Sequence, residues 1–544
     1  MSQDTSRPLA PRLSRRFLLQ SAALTALVGA FSGLASPLRA EEPRRGGSLT
    51  MNIGTEPPVL LLLAHTAGAA TYISGKTTEG LLTYDFDFTP KPLLATEWTV
   101  SPDGLRYWFR LREGVKFHDG TPFTAEDVKF SIETLKEHHP RGRATYAHVT
   151  AVNVLGPHEI ELLLDQPAPY LLTALASFES PIVPKHIYEG KPILENPNNS
   201  APIGTGPFLF KEWVRGSHVL FVRNPDYWDA GKPYLDQLVV RFVGDAAAGA
   251  AGLETGEIQL SANAPVPLSD IARLQENPRL GFETRGYAFT NSISRAEFNF
   301  ERPHLADLRV RQAVAHVVDR DFIVAAAYQG HATPLYGPVS HTLEKFFIPD
   351  LPRYEIDTAK AEALLEEAGY PRGADGWRFS LVIDPTQPVG PPKLSADYIA
   401  QVLQSIGIKA EVRTQDFATF VKRVYTDRDF DIAVEGMANL FDPTVGIQRL
   451  YWSKNFKPGV PFTNGAKYAS ERTDKLLEEA AVEIDPKKRF DLFAEFQKQV
   501  IADLPALDLV SPTAYTIYDK RVHNHTIGAE GLNANGAELW VAEG

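Results

Sequence analysis

The chain reads as an α/β protein, and three observations predict it. Segments with strand alternation and segments with helical spacing follow one another along most of its 544 residues. Proline (41) and glycine (39) are scattered throughout, as many short elements joined by turns require. No fixed-period repeat or low-complexity run appears, which argues against solenoids and propellers. The alternation favours α/β lobes over a barrel or sandwich. The length suits two or three domains, or one large two-lobed body with a substantial core.

Taken in order, residues 47–54 alternate like an early strand, and residues 106–112 alternate with aromatic and branched side chains on one face. Thr124 precedes an apolar run, with Asp127 three residues later, which is a helix start with a capping box. Residues 149–154, 159–164, 219–222 and 238–243 read as strands. The second half has more helix. Residues 307–318 have helical spacing, and residues 357–368 open on an acid and stop at Gly369. Residues 396–405 form a helix stopped near Gly407, followed by a strand at 409–413. Residues 474–484 and 487–501 form long amphipathic helices.

Composition excludes several functions. A net charge of −12 lacks the basic footprint of a general nucleic-acid binder. The absence of cysteine excludes disulfides, thiolate metal sites, iron–sulfur clusters, a cysteine nucleophile and a lipid-modified N-terminal cysteine.

The first forty residues read as an address. Ser14-Arg15-Arg16-Phe17-Leu18-Leu19-Gln20 leads into a short, small-residue apolar stretch that is too short for a membrane span. The paired arginines resemble a twin-arginine export signal, with Gln20 in place of the usual lysine. Cleavage is expected after Ala40, or at the alternative site Gly33-Leu34-Ala35. Removing a leader of net charge +4 leaves the mature chain near −16 and places it in the periplasm. No later run of apolar residues is long enough to span a membrane.

Catalytic motifs are missing. There is no Gly-x-Ser-x-Gly elbow, Walker loop or His-Glu-x-x-His. Gly204-Thr205-Gly206-Pro207-Phe208 lacks a third glycine and reads as a backbone turn. His523-Asn524-His525 reads as a solvated loop, and His138-His139 beside Pro140 as a polar turn. His118 beside Asp119 reads as a structural polar contact, and Glu478-Glu479 as neighbours on a helix face. None of these makes a catalytic constellation.

One stretch carries a resemblance. Ala95-Thr96-Glu97-Trp98 is followed by Ser101-Pro102-Asp103-Gly104 and then by Gly114-Val115-Lys116-Phe117-His118-Asp119-Gly120-Thr121-Pro122-Phe123-Thr124-Ala125-Glu126-Asp127-Val128. Further blocks lie at 202–208, at Arg223-Asn224-Pro225-Asp226-Tyr227-Trp228, at 307–320 and at 359–369. Together, and in this order, they resemble the family 5 extracytoplasmic solute-binding proteins of ABC importers, the peptide- and nickel-binding family. The resemblance implies a two-lobed periplasmic binding protein with a hinge between the lobes and an added subdomain in the larger one. The expected division is export signal 1–40, lobe I 41–290 with subdomain 81–203, lobe II 291–506, and a segment 507–544 returning to lobe I. Ligand is engulfed as the lobes close, and an inner-membrane permease reads the closed form.

The resemblance also implies where ligand is read. The family's Gly-Trp-x-x-Asp stretch, which holds a peptide amine, corresponds to Gly436-Met437-Ala438-Asn439-Leu440, with Met437 at the tryptophan position and Asn439 or Leu440 at the acid. The arginine that holds a dipeptide carboxylate is missing from residues 384–392. Losing both anchors disfavours a free dipeptide, because an unpaired buried charge costs several kcal/mol. Neutral or weakly charged solutes are favoured. His65, Thr66 and Ala67 match a lobe I contact turn, with Tyr72 nearby. Phe417 resembles an aromatic that covers ligand, and Tyr451 and Trp452 are candidates for a stacking wall.

The expected function is therefore a periplasmic binding component of an ABC importer, without catalysis, cofactor, metal or nucleic-acid partner, acting as a monomer. The captured solute is small and organic: peptide-like, opine-like or an oligosaccharide. Alternatives are a ligand-binding receptor for a membrane sensor, nickel-chelate binding with His65 as the cleft imidazole, and an envelope hydrolase.

Overall fold

The computed structural model describes residues 42–263 and 265–543, and the expected export signal lies outside them. Among the described residues no helix is long and apolar enough to cross a membrane. The folded body, Arg45–Gly544, is built on three main sheets. The first has seven strands, ordered Leu280–Glu283, Thr516–Asp519, Leu260–Ser261, Ser48–Asn52, Gln237–Arg241, His218–Arg223 and Phe208–Val214. Ser48–Asn52 runs parallel to both neighbours, and the outer strands pair antiparallel. The second has six, ordered Ala332–Pro334, Ala506–Pro512, Ser292–Phe298, Ile432–Ala438, Phe379–Pro385 and Ile408–Val412. The third is an antiparallel four-stranded sheet, Ala95–Val100, Arg106–Leu111, Glu159–Leu164 and Val149–Gly156, with helix Ala125–His138 packed on it.

Local chemistry accounts for the expected helices. Asp307, Asp357 and Asp485 each cap a helix by accepting a backbone N–H from the first turn. The Asp127 carboxylate accepts from the Thr124 N–H at 2.9 Å, tying down the start of Ala125–His138. Helix Pro391–Ser405 starts five residues earlier than the periodicity indicates, because Gly390 and Pro391 form its first turn.

The chain passes between the first two sheets twice, at 284–291 and at 513–515. The second passage corrects the expected boundary. Ala506–Pro512 pairs with Ser292–Phe298 in the second sheet, so the return to the first sheet begins after it and not at residue 507. The returning segment is anchored deep in the first lobe. Lys76 Nζ donates to the Leu532 carbonyl at 2.7 Å and to that of Ala534.

A buried carboxylate organises this lobe. Glu79 is fully buried and accepts from Thr205 Oγ1 (3.0 Å), Tyr227 OH (2.7 Å), Trp228 Nε1 (2.9 Å) and Asn535 Nδ2 (2.9 Å). Burial pushes its pKa up, and the four donors oppose that shift.

A second buried cluster lies in the second sheet. Register places Glu435 and Asp508 opposite Arg295, with Glu297 two residues along on the same face. Arg295 contacts Glu297, and the Tyr425 hydroxyl donates to Glu435 at 2.8 Å. Burial works against the Arg295 charge, but the surrounding carboxylates outweigh it and hold the guanidinium above its usual range. Burial, joined by the Glu297 carboxylate, pushes Glu435 up to about 8. Burial also pushes Asp508 up to about 6.

Glu79→Ala should lower stability by ~3 kcal/mol or more, since it strands four donors in a dry site. An unchanged melting temperature would remove Glu79 from this role. Glu435 and Asp508 hold their protons more tightly folded than unfolded, so their contribution to stability falls as pH rises from ~4 towards ~8. Glu435→Gln, which keeps a donor and carries no charge, should melt near wild type at pH 5 and above it at pH 8. A variant destabilised at both values would mean that the ionised carboxylate is what the cluster needs.

Candidate functional site

The first lobe contributes the turn ahead of helix Gly68–Thr77. His65 Nδ1 accepts from the Ala67 N–H at 2.9 Å, so the imidazole stiffens its own turn, and burial lowers its pKa. Tyr72 is half-buried on that helix, and burial raises its pKa, with Tyr287 adding to the shift.

The subdomain contributes a group that the sequence did not mark. His139 is buried and does not lie in a solvated turn. Its Nδ1 lies 3.9 Å from Glu179, whose carboxylate accepts from Arg141 Nε (2.8 Å), Arg141 Nη2 (2.5 Å) and Thr145 Oγ1 (2.7 Å). Burial pushes His139 down to about 4, against the pull of Glu179, so the imidazole is neutral at pH 7. Burial opposes the Glu179 charge, but Arg141 and the hydrogen bonds from Arg141 and Thr145 outweigh it and hold the carboxyl below its usual range. Gly142 allows this packing: a Cβ there would meet the Leu135 carbonyl oxygen at 1.7 Å.

The second lobe contributes the end of strand Ile432–Ala438 and the turn after it. Asn439 is buried, accepting from the Ser340 N–H (2.6 Å) and donating to the Pro338 carbonyl (3.0 Å). Its amide is therefore committed to backbone and not to the amine-anchor role. Leu440 has φ 56°, a left-handed conformation that a branched side chain rarely adopts. Two backbone hydrogen bonds to the crossing segment hold it and its neighbour, Asn439 N to Asn291 O and Leu440 N to Thr290 O, both 3.1 Å. Phe441 then packs on Phe289 at 5.4 Å, and Phe289 packs on Phe178 at 5.5 Å and Tyr84 at 5.7 Å. Leu440, Phe441 and Val445 thereby join the apolar core of the subdomain. Asp442 is held by Arg489 through two bonds of 2.8 and 2.7 Å.

Arg449 stands beside this turn. It donates to the carbonyls of Gly446 (3.0 Å), Ala438 (3.2 Å) and Phe462. Among the described residues it has no carboxylate partner. Burial, with Arg141 as the next contributor, pulls it down to about 10, where it still carries its charge at pH 7. Phe462 also stacks with Phe417 at 6.2 Å, leaving Phe417 about half exposed (54%) on the same edge.

The structure therefore sorts the expected ligand residues. His65, Thr66, Ala67 and Tyr72 are partly open on the first lobe, and Gly436, Ala438 and Phe417 are open or partly open on the second. Met437 and Asn439 face inward, as strand alternation dictates. Tyr451 and Trp452 form no stacking wall. Tyr451 is buried against Phe496 (5.5 Å) and the Arg295 guanidinium (5.4 Å). Trp452 Nε1 donates to Glu478 (2.8 Å) on helix Glu471–Val482. Sequence reading did not single out the buried polar cluster of His139, Arg141 and Glu179. The buried helix end at His138-His139-Pro140 was their one signal. His118 is structural as expected, its ring nitrogens engaging Gly206 O (2.9 Å) and Gly204 N (3.3 Å).

Comparison with known proteins places this architecture. The oligopeptide-binding protein AppA of Bacillus subtilis is 28% identical over 539 residues, covering 96% of each chain. The glutathione-binding protein GsiB of Escherichia coli O1:K1 is 27% identical over 453 residues, covering 82% of this chain and 85% of its own. The periplasmic binding protein DppA from Helicobacter pylori, solved with the peptide STSA, superposes with TM-score 0.79 at 26% identity, covering 92% of this chain and 99% of its own. The family model for bacterial extracellular solute-binding proteins, family 5, matches residues 89–459. The chain belongs to that family, as a substrate-binding protein of the ABC importer type.

Proposed function

We propose that this chain captures a small organic solute between its two lobes in the periplasm and delivers it to an inner-membrane permease. The observation that carries the reading is the junction itself. Two crossings link the sheets, and the turn at Leu440–Phe441 is shared between the second lobe and the subdomain core. Movement of one lobe on the other must act through that turn, which also borders the expected ligand strand Gly436–Ala438. In this reading the protein carries out no chemistry and works as a monomer, exported by its twin-arginine leader. The glutathione- and oligopeptide-binding relatives favour a peptide-like solute over a sugar. His65, Thr66, Ala67 and Tyr72 face it from the first lobe, and Gly436, Ala438 and Phe417 from the second.

Native mass spectrometry of the mature protein, before and after denaturation, tests the reading by seeking a co-purified solute. A bound ligand should raise stability by about 2.7 kcal/mol at a hundredfold excess over its Kd. Phe417→Ala should weaken that ligand several-fold with little change in melting temperature. Trp452→Ala should do the reverse, because it removes packing and the bond to Glu478 alone. Equal affinity loss in the two variants, read by titration calorimetry, would displace Phe417 from the ligand surface.

A further inference from the structure

One short turn of the subdomain touches the first crossing between the sheets and the second lobe as well. Strands Leu82–Tyr84 and Pro90–Pro92 pair antiparallel and are joined by residues 85–89. The returning segment roots this hairpin. Thr83 Oγ1 donates to Glu530 at 2.6 Å, and the Ala529 N–H donates to the Tyr84 carbonyl at 3.2 Å. Local bonds then fix the turn. The Asp85 N–H donates to the Thr89 carbonyl (3.0 Å), the Phe88 N–H to the Asp85 carbonyl (2.9 Å) and the Thr89 N–H to Asp87 Oδ1 (2.9 Å).

The tip presents Phe86 and Phe88. The Arg285 guanidinium lies 4.6 Å from the ring centre of Phe86, and Phe88 packs on Phe289 with ring centres 5.4 Å apart. Arg285 and Phe289 both belong to the crossing at 284–291, so the two rings clasp the chain that links the sheets. Phe88 also meets the second lobe. Lys345 Nζ lies 5.7 Å from its ring centre, within cation–π range. Lys345 is exposed and follows Leu343, which is buried in the core of the second lobe. Asp87 adds an acid at the tip. Its carboxyl is held below the usual range, first by the Thr89 N–H and further by the Lys345 charge.

The backbone shows that the ring itself matters. Phe88 has φ 64°, a left-handed conformation that an aromatic residue adopts only where its contacts hold it there. Glycine or asparagine would make the same turn with less strain, but neither carries a ring.

We propose that residues 85–89 form a latch, in which Phe86 and Phe88 clasp the first crossing and Lys345 docks on Phe88, so that the lobes rest together before any solute arrives. This rests on the solute-capture reading and adds a built-in bias towards the closed arrangement, which reduces the closing that solute must drive. Near-surface contacts between a cation and a ring are individually weak, as a joint that opens repeatedly requires.

The chain has no cysteine, so dyes can be placed uniquely at Glu113→Cys in the subdomain and Lys475→Cys in the second lobe, both exposed. Single-molecule energy transfer, on protein freed of solute by unfolding and refolding, then reads the ratio of open to closed molecules. Wild type should populate a closed state. Lys345→Met, which keeps the stem and loses the charge, should raise the ratio about threefold, and Lys345→Glu, which faces Asp87, should raise it further. High salt should raise it in wild type and much less in Lys345→Met. Phe88→Asn, which keeps the left-handed turn without the ring, should act as Lys345→Met does. Lys345 is exposed, so its variants test the latch even if Phe88→Asn fails to fold. A wild type that is only open, or a ratio that none of the variants changes, would overturn the latch. Native mass spectrometry keeps that failure distinct: a co-purified solute would leave solute capture standing without the latch.

Discussion

The Glu79 carboxylate is the constraint on which the first lobe depends. A carboxyl group with no exposure persists in a folded protein only when hydrogen-bond partners replace the lost water. Here four donors come from three distant parts of the chain: Thr205, the pair Tyr227 and Trp228, and Asn535. The glycine turn at 204–206 and the Tyr-Trp block are therefore parts of one interaction. Their side chains and close backbone contacts serve the acid and the helix that carries it. A Cβ at Gly204 would meet the Thr77 carbonyl oxygen at 2.0 Å. These residues mark the family because they hold the lobe together, and for that reason they say nothing about ligand.

The second lobe solves a similar problem with like charges. Three carboxylates, Glu297, Glu435 and Asp508, surround Arg295 on one face of the central strands. One cation cannot balance three anions in a dry site, so Glu435, pushed up to about 8, keeps its proton at pH 7, and Arg320 joins Arg295 in favouring the charge on Asp508. Several polar atoms of this cluster have no partner, including Arg295 Nη1, Glu435 Oε1 and the Tyr451 hydroxyl. Tyr451 and Tyr425 belong to this cluster and not to a ligand wall.

The strained turn at Leu440 follows the central strand of the second sheet and joins the core of the subdomain. A left-handed leucine persists because hydrogen bonds to Thr290 and Asn291 and the packing of Phe441 on Phe289 hold it there. The same few residues connect the lobes, follow strand Ile432–Ala438 and lie beside Arg449, which donates to the Ala438 carbonyl.

The sequence by itself determined the α/β class, the helix starts at Thr124, Asp307 and Asp357, and the turns of the family blocks. Those features depend on capping, periodicity and glycine geometry, which act over a few residues. It did not reveal Ser292–Phe298, Ile432–Ala438 or Ala506–Pro512, the centre of the second sheet. Each strand carries buried ionisable groups, Arg295 with Glu297, Glu435 or Asp508, that break the apolar alternation, and pairing across the sheet brings them together. The site divides in the same way. His65, Tyr72 and the Gly436–Ala438 stretch were legible as motif positions, and so were Tyr451 and Trp452, which the fold turns elsewhere. The electrostatic influence of Arg141 on Arg449 was decided by tertiary structure alone. Their charges lie 308 residues apart in sequence, and no local rule carries electrostatic balance across that distance.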